Sequence, residues 1–220
     1  MKYLMLFCFL IGKATFAQTN SDSLHHHHIQ GASMGFYALA TGIESKTCWG
    51  GGFEFEVYLK KRFATGLNIN GCGEKKIPEH FNYIIGRPLI GYFEFGWQNH
   101  YDLFETYRFL FNLNLNTGLA GISLSDDSIK VTVNTRYGPK QEAKTIATNH
   151  YYFAEPGADL LIKLGHYNHH TGGIYLSSKI KYHFYAGGSK FGTAGQFSNF
   201  TFGIGILVLR KDSGVYQKKL

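Results

Sequence analysis

Histidine clusters are the first residues of this chain whose type and spacing could do chemistry. One run is His25, His26, His27 and His28, and a second group falls in a predicted turn, at His166, His169 and His170. Clustered imidazoles can bind zinc, copper or nickel. The first run lies in a tail, however, and no cysteine or carboxylate accompanies the second at ligand spacing. We therefore predict adventitious binding at most, with no physiological metal and no cofactor.

A nucleophilic hydroxyl needs an adjacent base, and the chain offers one weak match to such a pair. His169-His170-Thr171 comes nearest to the His-x-Ser pair of enzymes that deacylate lipid A, with threonine in place of serine. The sequence contains no Gly-x-Ser-x-Gly elbow, no phosphate-binding glycine loop and no paired-cysteine metal motif. We predict no catalytic residue and no enzyme activity.

Charged residues also recur on one face of predicted strands, and they could form a network. These residues are Glu54, Glu56, Glu94, Asp159, Lys163, Lys179 and Lys181, and His183 shares their face. Isolated charges are costly in a narrow interior of low dielectric, so we expect carboxylates and lysines to pair. The network could serve as a gated ion path or as a closed polar plug. A small barrel leaves little room for water, which favours the plug.

The elements that position these residues are strands, because apolar and polar residues alternate with a period of two over much of the chain. Residues 53–60 and 109–116 give the clearest examples. Eight strands are predicted, at roughly 35–43, 51–60, 62–71, 88–98, 107–124, 150–164, 173–185 and 199–210. The connections alternate between short and long, and residues 125–149 read as a hairpin that continues strands five and six. A change of apolar phase in strand five predicts a β-bulge near Ala120-Gly121.

Residue size indicates which face of the strands points inward. Small residues such as Ala38, Ala40, Gly203 and Gly205 share the polar face, and the concave inside of an eight-stranded barrel has room only for small side chains there. Bulky apolar residues then lie outside, as lipid requires. The fold class is therefore all-β: a closed antiparallel up-and-down transmembrane β-barrel of about eight strands. A soluble periplasmic barrel that binds a small ligand would need the opposite arrangement.

The ends of the chain and its composition fit export. A basic start, an apolar stretch and a small-residue cleavage site predict a signal peptide over residues 1–17. We expect a flexible periplasmic segment over 18–34, the barrel over 35–210 and a periplasmic tail over 211–220. Charged residues make up 17% of the chain, below the roughly 25% that is usual for soluble domains. The net charge of +7 is not gathered into a stripe, which argues against nucleic acid as a partner.

Two cysteines remain after the signal peptide, Cys48 before the second predicted strand and Cys72 after the third. If the turn at Lys61 pairs residue 60 with residue 62, residue 50 opposes Cys72, and Cys48 falls within a residue or two of it. An exported protein meets an oxidising compartment, so we predict a disulfide. Two thiols without a bond are the alternative.

The signal, the eight amphipathic strands, the short and long connections and the last strand, FTFGIGILV over residues 200–208, look like those of small OmpA- and OmpX-type outer-membrane barrels. The segments 155–160, 190–193 and 197–200 also resemble uncharacterised outer-membrane barrel proteins of Gram-negative bacteria. The resemblance covers most of the mature chain, and its motifs are structural. It implies an outer-membrane location and insertion by the barrel assembly machinery. The chain departs from the pattern by continuing from Lys211 to Leu220 instead of ending on an aromatic residue.

We therefore expect a monomer with a structural or adhesive role, carried by loops 71–87 and 125–149. Its expected partners are outer-membrane lipid, lipopolysaccharide and an extracellular surface ligand. The alternatives are a narrow ion-conducting pore, a lipid A-modifying enzyme and the soluble ligand-binding barrel.

Overall fold

The computed structural model describes residues 29–43, 46–166 and 171–211. The strands are β1 (Gly31–Ile43), β2 (Lys46–Lys60), β3 (Phe63–Lys76), β4 (Pro88–Glu105), β5 (Phe109–Thr135), β6 (Gly138–His166), β7 (Thr171–Tyr182), β8 (Phe184–Ala186) and β9 (Phe200–Lys211), with one short helix, α1 (Ala194–Phe197). Within this part of the chain, no helix has the length and apolar character to cross a bilayer. The predicted signal peptide and residues 212–220 lie outside the described residues.

The strands close into a ring with eight positions. From β1 to β7 each strand pairs antiparallel with its neighbour in sequence, and β7 and β8 both pair with β6 to fill the seventh position. The ring closes through β9, which pairs with β7 on one side and with β1 on the other. The predicted up-and-down barrel is therefore confirmed. Its ladder starts at Gly31 and includes Lys211, which was predicted to belong to the tail.

The two faces of the wall differ in the predicted way, with an exception in β1. Ala38 and Ala40, which were predicted to point inward, lie on the outer face, and the larger side chains of Tyr37 and Leu39 point into the lumen instead. Leu113 and Phe202 are 47% and 55% exposed on the outside, whereas Glu54 and Asn112 are only 1% and 2% exposed inside. Bulky apolar side chains therefore cover the outer surface, and polar side chains fill the lumen. A soluble ligand-binding barrel requires the reverse arrangement.

The predicted bulge at Ala120-Gly121 is wrong. Both residues pair in continuous register, with Glu94 and Phe93 on one side and with Tyr151 and His150 on the other. The apolar residues Ile122 and Leu124 point into the lumen and are buried. The phase change in the sequence thus reflects a lumen that becomes apolar near one end, and the register shifts of β5 against β6 come later, after Leu124 and after Asp126.

The two ends of the barrel differ in their connections. The turn end carries both ends of the described chain and the short turns at 61–62 and 106–108. The loop end carries segments 77–87 and 187–199 and the tip of the β5–β6 hairpin. In this hairpin the ladder continues from Lys130↔Ala143 to Thr135↔Gly138, beyond the last pairing of β4 at Asp126. The predicted extension of strands five and six is confirmed.

Candidate functional site

The lumen holds the charged residues, and its centre is organised by Lys179. Lys179 lies directly opposite Asp159 in the β6–β7 ladder, and its Nζ is 2.7 Å from Asp159 Oδ2. The same ammonium lies 2.9 Å from Glu54 Oε1, which projects inward from β2. One lysine therefore bridges two carboxylates across the barrel.

A second group lies closer to the loop end. Lys181 Nζ is 3.3 Å from Glu155 Oε2 and donates to Gln98 Oε1 at 3.2 Å. His183 Nε2 lies 2.6 Å from Glu155 Oε1 and 3.2 Å from Glu94 Oε1. The Tyr185 hydroxyl donates to Glu94 Oε1 at 2.8 Å.

A third group lies toward the turn end. His100 Nδ1 is 2.9 Å from Glu56 Oε1, and its Nε2 is 3.0 Å from the Tyr58 hydroxyl and 3.5 Å from Asp102 Oδ1. Lys211 Nζ lies 2.5 Å from Asp102 Oδ2 and 3.1 Å from Glu105 Oε2. Lys211 therefore ends β9 with its side chain inside the barrel.

Neutral side chains link these groups into one network. The Tyr37 hydroxyl donates to Asn70 Oδ1 at 2.5 Å and accepts from Asn68 Nδ2 at 2.7 Å. Asn116 Nδ2 donates to Glu155 Oε2 at 3.0 Å, and Gln98 Nε2 donates to Glu56 Oε1 at 2.9 Å. Buried charges are tolerated when partners of this kind satisfy them.

Apolar clusters close the lumen at both ends of this network. The turn-end cap comprises Tyr58, Ala64, Leu110, Leu161, Tyr175, Leu207 and Leu209. The loop-end cap includes Ile122 and Leu124 from the wall and Ile77, Ile85, Phe191 and Phe197 from the loop segments. The arrangement separates the central charges from solvent at either mouth.

Local conformation places the aromatic rings of the loop-end cap. Thr193 forms a capping box with Gln196, which starts α1 and carries Phe197 inward. Gly192 has a φ of 61°, and a Cβ there would lie 2.8 Å from Phe197 Cζ, so only glycine fits. Phe81 packs against this site, with its ring centroid 5.4 Å from that of Phe191.

Asp126 attaches segment 77–87 to the barrel wall at the base of the protruding hairpin. Its carboxylate accepts hydrogen bonds from the Ser128 hydroxyl at 2.6 Å and from the backbone N–H groups of Gly86 and Arg87 at 3.1 Å. These hydrogen bonds stabilise the charged form, so they lower the pKa of Asp126, with the Ser128 hydroxyl as the largest cause.

Six of the predicted lumen charges come together in the structure: Glu54, Glu56, Glu94, Asp159, Lys179 and Lys181. Lys163 does not join them. It is half-buried near the turn end, with its Nζ 5.8 Å from the centroid of the Tyr175 ring and 6.0 Å from that of Tyr107. Among the described residues it forms no ion pair with a lumen carboxylate.

The sequence interpretation missed several members of the network: Gln98, His100, Asp102, Glu155 and Lys211. The alternation along the strands could have identified four of them, because residues an even number of positions apart point to the same face. Glu155 shares a face with Asp159 in this way, and Gln98, His100 and Asp102 share a face with Glu94. Strand four was predicted to end at residue 98, although β4 continues to Glu105. Its inward positions near the turn end were therefore taken for a turn.

The predicted histidine clusters lie at or beyond the edge of the described residues. His25 to His28, His169 and His170 are not among the described residues. His166 is the last residue of β6, and only its backbone is described. The predicted metal candidates therefore have no described geometry.

Cys48 and Cys72 are joined by a disulfide, with their Cα atoms 6.1 Å apart. Gly50 pairs with Cys72, the register expected from the turn at Lys61, although the turn itself pairs Lys60 with Phe63 across a bulge at Leu59. The disulfide links β2 and β3 at the loop end, where Cys48 forms part of the loop-end cap.

Comparison with known proteins found resemblance only among solved structures. No protein-family model and no curated protein matches this chain. Ail, the attachment invasion locus protein of Yersinia pestis, has 11% identity, covering 81% of this chain and 96% of its own, with a TM-score of 0.45. Neisserial surface protein A has 10% identity, covering 82% of this chain and 96% of its own, with a TM-score of 0.46. The N-terminal β-barrel domain of Pseudomonas aeruginosa OprF has 11% identity, covering 82% of this chain and 98% of its own, with a TM-score of 0.41.

The closed ring defines the architecture of the chain. Eight antiparallel positions, a polar lumen and an apolar outer surface together give this chain the architecture of the small OmpA- and OmpX-type outer-membrane barrels.

Proposed function

We propose that this chain is an outer-membrane barrel that acts through its loop end, where the β5–β6 hairpin meets partners outside the cell. One observation carries the proposal: the hairpin extends beyond the ring as a two-stranded ribbon while the lumen below it is closed. Long connections face the exterior in barrels of this architecture, so the loop end is the extracellular end. The predicted signal peptide over residues 1–17 supports export, and the resemblance to OmpA- and OmpX-type barrels implies insertion by the barrel assembly machinery.

The surface of the hairpin suits an interaction. Ile129, Val131 and Val133 are exposed along β5, and Tyr137 at the tip is 95% exposed. Among the described residues, the pairing of β4 with β5 ends at Asp126, and the pairing of β8 with β6 ends at Tyr152, so neither extends along the hairpin. The hairpin therefore offers unpaired strand edges together with apolar side chains.

The charge of the hairpin indicates the chemistry of the partner. Asp127 pairs with Lys130, and Glu142 pairs with Lys140 at 3.1 Å. Arg136 and Lys144 add positive charge that these two acids do not balance. An anionic partner fits this surface, and phosphorylated lipopolysaccharide is the one available beside an outer-membrane barrel.

Shortening the hairpin tests this function. Residues 129–143 are replaced by an Asn-Gly turn, which supports a tight hairpin, and the purified barrel is passed over immobilised lipopolysaccharide. We expect the full chain to bind and the shortened chain to lose most of that binding. Dephosphorylated lipopolysaccharide should bind the full chain more weakly. A Lys61→Gln variant at the turn end is the matched control and should bind like the full chain, whereas equal binding by the shortened barrel would rule out the hairpin.

The closed lumen argues against the alternative of an ion-conducting pore. An ion would have to cross two apolar caps and a network in which lysines already bridge carboxylates. We expect no stable unitary currents in planar bilayers. Reproducible channel openings by the folded barrel would favour the pore instead.

A further inference from the structure

His183 and two carboxylates converge in the lumen from three different parts of the wall. Glu94 projects from β4, Glu155 from β6, and His183 is the residue between β7 and β8. The potential ligand atoms of the three side chains all lie within 4.8 Å of one another. All three side chains are buried.

The imidazole of His183 is held with Nε2 toward the two carboxylates. Its backbone N–H donates to the Asn199 carbonyl at 2.9 Å, where the ladder of β7 is interrupted. On the other side of the ring, Nδ1 is 3.1 Å from Thr201 Oγ1, and that hydroxyl donates to Thr41 Oγ1 at 2.7 Å. Thr201 therefore accepts from Nδ1–H, which fixes the tautomer that leaves Nε2 available as a ligand.

Glu155 presents one oxygen to this point, and the close polar neighbour of that oxygen is His183 Nε2. Glu155 Oε2 accepts from Asn116 and Lys181, whereas Oε1 is buried and receives no hydrogen bond of acceptable geometry. Nε2 lies close to that oxygen at 2.6 Å but is shared with Glu94. An enclosed carboxylate oxygen without a good donor is costly unless a cation satisfies it.

The charge of the whole lumen also points to a cation. Apart from Asp126 at the base of the hairpin, six carboxylates are at most 2% exposed, namely Glu54, Glu56, Glu94, Asp102, Glu155 and Asp159. The buried groups that can carry a positive charge are three lysines, Lys179, Lys181 and Lys211, and two histidines, His100 and His183. Even with both histidines protonated, one negative charge is left over. A divalent cation at a neutral His183, with His100 protonated, would bring this enclosed set to zero.

We propose that Glu94, Glu155 and His183 bind a divalent first-row transition cation such as Zn²⁺ inside the barrel. One imidazole nitrogen and two carboxylates form a suitable donor set, and water can complete a tetrahedral site. Tetrahedral ligand atoms at ordinary zinc distances are about 3.4 Å apart, so the Glu155 carboxylate has to withdraw from Nε2 by about 1 Å or less. Because both mouths are capped, the cation enters while the barrel folds.

His100 provides a natural comparison within the same lumen. It also lies between two carboxylates, but Glu56 is at its Nδ1 and Asp102 is at its Nε2. The two carboxylates therefore do not converge on one nitrogen. We assign no cation to His100, which makes it the control.

The test measures zinc retained after folding. The full chain, carrying alanine at positions 25–28 to remove the histidine run, is refolded with zinc and desalted, and metal is counted by elemental mass spectrometry. We expect one zinc ion per chain. His183→Gln and Glu94→Gln should retain at least about tenfold less, whereas His100→Gln should retain it in full. Migration on unboiled gels verifies that each variant is folded.

Two further readouts keep the proposal open to refutation. X-ray absorption should report one imidazole nitrogen with oxygens at about 2.0–2.2 Å, and a shell of several imidazoles would assign the zinc to His166, His169 and His170 instead. If His183→Gln fails to fold, zinc but not magnesium should raise the unfolding temperature of the chain with the intact lumen. No retained zinc, or equal loss in His100→Gln and His183→Gln, overturns the proposal.

Discussion

At the scale of single residues, the lumen depends on charges that neutralise one another out of contact with water. Lys179 is the clearest case, because its ammonium contacts both Asp159 and Glu54 and all three side chains are buried. Desolvation gives the burial of such a group a large free-energy cost. Removing one partner costs more, because it leaves a buried charge without a counter-charge. Each member is therefore needed for stability.

Lys179→Met is expected to lower the free energy of unfolding by about 3–5 kcal/mol, because it leaves two carboxylates enclosed without their cation. Urea unfolding in lipid vesicles, followed by tryptophan fluorescence, measures the loss. Lys140→Met is the matched control, since its pair with Glu142 is exposed on the hairpin and should contribute little. Similar losses in the two variants would contradict a buried role for Lys179.

Asp126 gives a pH prediction with a defined sign. Hydrogen bonds from Ser128, Gly86 and Arg87 lower the pKa of this carboxyl in the folded state. Its stabilising contribution is therefore fully present above the ordinary aspartate pKa of about 3.9 and is lost as the pH falls through the lower folded value. Docking of segment 77–87 should not change between pH 7 and pH 5 and should weaken only in stronger acid.

Hydrogen exchange at the Gly86 and Arg87 amides measures that docking. Asp126→Asn removes the charged acceptor at every pH, so both amides should exchange faster than in the unsubstituted chain at pH 7. Equal protection in the variant would show that Asp126 does not hold this segment.

At the scale of elements, the period-two pattern was enough to predict the strands, because lipid on one side and a packed lumen on the other impose it on every strand. The pattern gave a wrong prediction where the lumen changes from polar to apolar. Ile122 and Leu124 belong to the loop-end cap, and their apolar side chains looked like a change of face. Glu155 was missed because Tyr151 and Phe153, which precede it on the inner face of β6, are aromatic, so the local alternation does not mark that face as polar.

The disulfide belongs to this scale, because it joins β2 and β3 across the loop end. Cross-linking two positions that are 24 residues apart restricts the unfolded chain and is expected to contribute about 3 kcal/mol. Unfolding of the Cys48→Ser, Cys72→Ser double variant in urea measures this contribution. A double variant as stable as the oxidised chain would contradict it, and reduction of the unsubstituted chain should reproduce the loss.

At the scale of the whole molecule, closure of the ring determines which charges meet. The contact between Lys179 and Glu54 joins strands far apart in sequence, and it depends on the stagger with which the sheet closes on itself. No local pattern encodes that stagger. The sequence therefore predicted six members of the network but not their partners, and it offered no reason to group His183 with Glu94 and Glu155.

We infer that the apolar face of the wall meets lipid while the polar face fills a closed lumen. Spin labels at neighbouring positions test it most directly: Leu113→Cys and Phe202→Cys outside, with Asn112→Cys inside, in lipid vesicles and with the native disulfide intact. The labels at 113 and 202 should collide readily with oxygen dissolved in the bilayer, and the label at 112 should be shielded from both oxygen and a water-soluble nickel complex. High oxygen accessibility at 112 with shielding at 113 and 202 would show that the polar face meets the lipid and that the apolar face points into the lumen.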